Sequence, residues 1–349
     1  MVAVGTVGTR HALSLPIYRI IMGKSLAIDI GVHSIKLIEL QGKKNQLELT
    51  KCAKNLVSKD DIKSSLKDLA ASEKLSSRRV NVSLSGPSVI VRYIEMPSMN
   101  KEELSSAIKF EAEKYIPFDI NDAIVDCTIL DKGPSGSSRV LLVAARKDKV
   151  NSYIHMFKEL GIDIATIDVD SVALLNAFQR VGLEKENKAT FAIINIGAKF
   201  SNMNVISNGF PYFTRDILWG GMDVTNRIKD LKLMSLEEAE ALKCKSNEKK
   251  EEIVPIAMPS LEKLVSEVRL SFDYFETQFG KNIERLYISG GSSNLYNTAV
   301  FLKDNLDIDI LTWNPFEGIK IINEPVECMD AKNSHAQFAV AVGLALRGL

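Results

Sequence analysis

The stretch Ser25 to Leu40, SLAIDIGVHSIKLIEL, reads as a strand, a tight turn at Gly31 and a second strand whose apolar residues alternate at Ile35 and Leu37. The segment Thr190 to Ile206, TFAIINIGAKFSNMNVI, repeats that plan 166 residues later, since Asp29 lies on Asn195 (195 − 29). Ile28-Asp29-Ile30-Gly31 matches Ile194-Asn195-Ile196-Gly197, and an apolar-rich strand follows both. A shared opening of this kind predicts two related α/β lobes.

The pattern between and after these hairpins fills in the lobes. Residues 22–86 form the first part of lobe one, with an amphipathic helix from Lys59 to Glu73 and a strand from Arg79 to Leu84. A smaller α+β unit, 87–169, interrupts it. Its predicted order is strand Val89 to Glu95, helix Lys101 to Tyr115, strands Ala123 to Leu130 and Arg139 to Ala145, helix Lys147 to Leu160 and strand Asp163 to Asp168. GPSGSS at 133–138 supplies a hairpin turn. A helix from Ser171 to Arg180 returns the chain to lobe one over 170–187.

Lobe two spans 188–325. It turns through Asn208-Gly209 and continues with a helix from Gly221 to Leu231. A helical insertion over 232–280 holds SLEEAEALK, the charge run CKSNEKKEE as a surface loop, and a long helix from Pro259 to Phe279. Strand Arg285 to Ser289, the Gly290-Gly291 turn, helix Ser293 to Lys303 and a strand near Ile308 to Leu311 close the lobe. The segment 326–349 returns to lobe one through a helix, Ser334 to Gly348, that is apolar almost all round and is expected to lie buried between the lobes. Residues 1–21 read as a disordered extension, with Met22 as the expected true start.

Composition changes this picture little. At 349 residues the chain is too long for one core, and its 44 basic and 44 acidic residues create no field that would attract nucleic acid. Four cysteines without a Cys-x-x-Cys pair, and four scattered histidines, fit a reducing cytoplasm and no structural zinc.

A nucleoside triphosphate needs backbone N–H groups aimed at its phosphates and a carboxylate to order the water around magnesium. The turns at Gly31 and at Gly197-Ala198 supply the first and Asp29 the second, while Ser34 and Lys36 can reach phosphate oxygens. Gly290, Gly291 and Ser292, at the end of a buried strand, form a third turn past which a flat base can slide, and Gly220 and Gly221 are placed to line the same pocket. Glu240 and Lys243 sit one helical turn apart, on one face, where they could grip ribose hydroxyls. ATP and Mg2+ are therefore the expected ligands. No Gly-x-Gly-x-x-Gly or Gly-x-Ser-x-Gly motif supports a Rossmann or hydrolase alternative. Asp168 and Asp170 keep a small-molecule kinase of the same superfamily in view, since such an enzyme needs a catalytic Asp near the cleft.

With these three glycine turns in order, the chain resembles the actin, Hsp70 and sugar-kinase superfamily. Glu111-Ala-Glu-Lys-Tyr115-Ile-Pro117-Phe118, Phe213-Thr-Arg-Asp-Ile217, Glu237 to Lys243, Ser271 to Phe275 and the ending Phe338 to Arg347 resemble, within it, the PilM family of type IV pilus assembly proteins, related to the cell-division protein FtsA. The resemblance implies an α/β, actin-like (RNase H-like) two-lobe fold carrying an FtsA/PilM-type inserted subdomain. It implies a cytoplasmic protein held under the inner membrane by binding the N-terminal tail of PilN, beside other components of the pilus platform. The tail would lie in a groove between lobe one and the insert, with Glu111, Tyr115, Pro117 and Phe118 as its expected contacts. An FtsA-like filament former, and hence self-association, is the alternative within the resemblance. One position departs from the superfamily: Asn195 stands where an acid is usual, so it can order magnesium only through water and cannot act as a base. Slow or absent hydrolysis is the expectation.

Overall fold

The computed structural model describes residues 23–43, 46–58, 61–132, 136–181, 189–322 and 335–349. The expected extension 1–21 and much of the 133–138 turn lie outside the described residues.

Three sheets organise the described residues. Lobe one holds β1 (Gly23–Ile30), β2 (Ser34–Lys43), β3 (Gln46–Leu56), β4 (Arg79–Leu84), β8 (Asp163–Val169) and β14 (Ile319–Ile321), in the order β14-β3-β2-β1-β4-β8. Lobe two holds β9 (Thr190–Ile196), β10 (Ser201–Ser207), β11 (Phe210–Ile217), β12 (Arg285–Ser289) and β13 (Asp309–Thr312), in the order β11-β10-β9-β12-β13. Set side by side, β3-β2-β1-β4-β8 and β11-β10-β9-β12-β13 match strand for strand. In each, three antiparallel strands are followed by two parallel ones. The duplication first visible in two short hairpins therefore extends across both sheets.

Strand β3 is absent from the sequence reading. Its register against β2 shifts between Glu39 and Leu40, so Leu47 and Leu49 lie buried on one parity and Cys52 and Ala53 break the alternation.

The insert is smaller than expected. Its sheet is β5 (Val89–Pro97), β7 (Ser137–Arg146) and β6 (Ala123–Lys132), in the order β5-β7-β6, covered by α2 (Lys101–Ala112). The predicted strand at 163–168 belongs instead to lobe one, where β8 pairs in parallel with β4. Helix α3 (Lys147–Glu159) packs there too, with Val150 and Phe157 in the same core as Val80 and Val82. Local patterning reports that a strand exists but not which sheet it joins.

Alternation along β1 sorts the lobe-one core. Leu26, Ile28 and Ile30 face α1 (Ile62–Ser72) and α3, while Ala27 faces the C-terminal helix, here α9 (Ala339–Leu346). The helix that packs on both lobes along its length is α4 (Asp170–Val181), whereas α9, expected there, reaches lobe two at its N-terminal end, with Val340 in the inter-lobe cavity. Ala173 and Ala177 of α4 join the lobe-one core beside α9, whereas Leu174, Leu175 and Phe178 pack with Phe191, Ile193 and Ile206 of lobe two. Helix α9 lies against α4 at Gly343, where an added Cβ would fall 1.8 Å from the Ala173 carbonyl oxygen. Of α9, Ala339 joins the lobe-two side of this cluster.

Lobe two adds α5 (Gly221–Lys232), α6 (Leu236–Cys244), α7 (Lys250–Phe279) and α8 (Thr298–Leu306). The charge run is not a loop throughout: Cys244 ends α6, and from Lys250 the chain is helical, carrying Pro255 and Pro259 inside α7. The helix was expected from Pro259, but its first turns lie upstream of that residue.

Candidate functional site

Both glycine turns have one geometry. The Gly31 N–H donates to the Ser34 carbonyl oxygen at 3.1 Å, and the Gly197 N–H to that of Phe200 at 3.1 Å. Each ends the first strand of its lobe and faces the space between the lobes. An added Cβ would lie 2.9 Å from Ser34 O at Gly31 and 2.6 Å from Phe200 O at Gly197, so the tight turn requires glycine at both.

Between them is a cavity of about 410 Å3, a size suited to small ligands and cofactors. Asp29, Gly31, Ser34, Lys36, Asn195, Gly197, Ala198, Gly221, Glu240, Lys243, Gly291 and Ser292 all line it. Gly220 and Gly290 are not among the lining residues but stand behind the wall. A Cβ at Gly220 would meet Ala198 O at 2.4 Å, and one at Gly290, where φ is +92°, would meet Ile196 O at 2.3 Å. The three turns are thus stitched into one surface. Gly221 N–H donates to Gly197 O at 3.0 Å, Met222 N–H to Ala198 O at 2.8 Å and Ser292 Oγ to Gly197 O at 2.8 Å.

The Glu240 and Lys243 pair is built into the wall and is no free surface ion pair. Their side chains meet at 2.7 Å, Thr225 Oγ1 donates to Glu240 at 2.5 Å, and Lys243 Nζ donates to Gly221 O at 3.1 Å. Burial alone would raise the Glu240 carboxyl, but Lys243, Thr225 and His33 outweigh it and hold it below the usual carboxylate range. His33, in the first glycine turn, reaches across the cleft to within 3.8 Å of Glu240.

At the other end, Lys36 Nζ donates to Asp29 Oδ2 at 2.9 Å. The sequence offered Asp170 only as a candidate catalytic Asp for the kinase alternative, and the structure places it in the cavity wall with Asp29. Burial, and then the charge of Asp29, push the Asp170 carboxyl well above the ordinary range. Asp168 is elsewhere: fully buried, it accepts from the Val169 N–H at 2.8 Å and pairs with Arg347 Nε at 3.4 Å. Burial, opposed by Arg347, pushes it up to about 6. Asn202 was also missed, although the repeat marks it as the counterpart of Lys36 (202 − 36 = 166). Lys54 lines the cavity from β3, the strand the sequence did not reveal.

Two facing carboxylates, an amide at Asn195 and adjoining room for phosphates form a donor set that fits magnesium, which is usually held by one or two carboxylates, waters and phosphate oxygens. Burial is the main cause of the raised Asp170 carboxyl, and the nearby Asp29 charge adds to it.

A second cavity of about 560 Å3 lies where lobe one, the insert and lobe two meet. It runs between β5 and β11, each an edge strand of its sheet, and shares Ser85, Asp170 and Asn202 with the first cavity. Glu111, Tyr115, Pro117 and Phe118 do not line it. Glu111 lies in the last turn of α2 and the other three follow it, where Phe118 packs beside Ile116, Ala123 and Ala144, and Tyr115 is 37% exposed.

The family model for the type IV pilus assembly protein PilM matches residues 27–349. The chain belongs to the PilM family. A solved structure described as a PilM-PilN type IV pilus biogenesis complex is similar over 94% of this chain and 99% of the matched one, with 27% identity and a TM-score of 0.84. The ethanolamine utilization protein EutJ from Carboxydothermus hydrogenoformans shares the fold, at 14% identity and a TM-score of 0.55 over 93% of this chain and 89% of that one. The fold is actin-like, as the duplicated lobes imply. Among the described residues no helix is long and apolar enough to cross a membrane.

Proposed function

We propose that this chain holds ATP with magnesium between its lobes and, in that closed form, serves as a scaffold in type IV pilus assembly by binding the N-terminal tail of a PilN-like membrane protein. The carrying observation is the pair of equivalent glycine turns facing one cavity with Asp29 and Asp170 beside them. In this reading Gly31, Gly197 and their following amides cradle phosphates, Lys36 neutralises phosphate charge, and Glu240 with Lys243 holds the ribose. Magnesium, when bound, offsets the charge of the phosphates and of the two aspartates. Turnover is slow because the second turn presents Asn195, an amide, where an acid could take a proton. ATP then acts by favouring the closed shape, which is the shape the partner selects.

The partner assignment draws on family membership and on the matched complex with PilN. The groove between β5 and β11 suits an extended tail, since two edge strands offer backbone groups to it. Such a tail would hold the chain against the inner membrane from the cytoplasmic side.

The nucleotide claim is tested by calorimetric titration of Mg-ATP into the wild type and Asp29→Ala. Affinity should fall at least tenfold in the variant, and equal affinity refutes the site. For the tail, Tyr274→Arg at the groove should weaken binding of a PilN tail peptide while Tyr115→Glu leaves it unchanged. The opposite pattern moves the tail to the patch after α2.

A further inference from the structure

The insert is fused to one lobe and merely clasped to the other. Val89, Leu141, Val143 and Ala145 of its sheet share a continuous apolar core with Val80, Val82, Val150 and Phe157 of lobe one, so the two move as one body. Toward lobe two the contact is of another kind. Arg139, on β7, pairs with Asp131 at 2.7 Å inside the insert, and its guanidinium carbon stands 3.7 Å from the ring centroid of Tyr212 on β11. Lys281 Nζ of lobe two lies 4.1 Å from the same centroid, and Tyr212 is anchored in lobe two by edge contacts with Phe275 and Phe279. Burial would raise the Tyr212 phenol, but hydrogen bonds and charge from Lys281 and Arg139 pull it below its ordinary value.

A change in the angle between the lobes therefore displaces Tyr212 relative to Arg139, because Asp131 holds the guanidinium to the insert while Phe275 and Phe279 hold the ring to lobe two. A cation over an aromatic face at a half-buried seam is a directional contact that breaks over a short displacement. We propose that Arg139 and Tyr212 form a latch that fastens the insert to lobe two and biases the two lobes toward the closed arrangement. The latch borders the groove between β5 and β11, whose lining includes Tyr212, and that groove shares Asp170 with the inter-lobe cavity. Opening the latch thus loosens both places at once. Its effect on nucleotide affinity rests on the function proposed above; its effect on the seam does not.

Hydrogen–deuterium exchange of the full chain without nucleotide tests the latch directly. Arg139→Gln and Tyr212→Leu should each raise exchange of amides in 89–93 and 212–216 about tenfold, the factor matching a contact of this type. Protection of β1 and β9 should stay unchanged, and the double variant should exchange no faster than either single one. Unchanged exchange at the seam, or a double variant showing the product of the single effects, overturns the latch. Should either substitution unfold the chain, Arg139→Met keeps the length of the buried stem and removes the cation from the ring. Faster seam exchange in that variant supports the latch, and wild-type exchange overturns it. In the same variants Mg-ATP affinity should fall by a similar factor; an unchanged affinity alongside a loosened seam overturns the bias toward closure. A wild type that binds no Mg-ATP at all refutes the proposed function, and the exchange result then decides the latch alone.

Discussion

Replacing Gly290 with alanine should be among the most damaging single-methyl changes in the molecule. Its backbone sits at φ +92° and ψ 161°, a region reserved for glycine, which alone costs about 1–3 kcal/mol for a residue with a side chain. The new Cβ would also fall 2.3 Å from Ile196 O, 2.6 Å from Ile196 N and 2.7 Å from Ile196 C. These are backbone atoms at the end of β9, where Ile196 pairs with Ser201 of β10 and the preceding Asn195 pairs with Ser289 of β12, so they cannot step aside. Strain and overlap together predict a loss of about 3–5 kcal/mol. Gly291 is the matched control: its φ is not in the left-handed region, and its Cβ would meet nothing closer than Gln337 Cβ at 3.9 Å. Urea denaturation of the two alanine variants should show a large fall in midpoint for Gly290→Ala and less than about 1 kcal/mol for Gly291→Ala. Equal losses, or a Gly290 variant within 1 kcal/mol of wild type on that scale, would refute the claim that this turn is pressed against β9.

Gly343→Ala in α9 should cost about 2 kcal/mol net, since an overlap with Ala173 worth about 3 kcal/mol outweighs a helix-propensity gain of about 1; a thermal melt at or above the wild-type midpoint would contradict that helix contact. For Asp170, the raised carboxyl means the folded state keeps its proton longer than the unfolded one, so the associated stability is present at low pH and is lost as pH rises through the folded value. Asp170→Asn should therefore flatten the decline in ligand-free stability from about pH 4, the ordinary carboxylate value, up to neutrality; denaturation curves that keep the wild-type slope in the variant would argue against a buried, like-charged neighbour for Asp29.

The glycines made the site legible because each does something only glycine can do, and a motif of that sort survives in linear order. Asp29-Ile-Gly31 and Asn195-Ile-Gly197 also carry the duplication, so two hairpins announced a plan that both sheets obey. What stayed hidden was set by tertiary pairing. The bulge opposite Glu39 erased the alternation of β3, and with it Lys54 of the cavity. Asp163 to Val169 looks like any short strand, and only its partner β4 assigns it to lobe one and delivers Asp170 to the cleft. The apolar character of α9 correctly implied burial, but Gly343 against Ala173 settles it behind α4, which has the second apolar face needed to meet lobe two.

The central claim is that two like-built turns close around one chain of phosphates. Amide NMR of the isotopically labelled protein, titrated with Mg-ATP, tests it most directly. The account predicts that signals from residues 31–34 and from residues 197–200 shift together, with one binding curve. Movement of one turn without the other, or of neither while ATP binds, would contradict it.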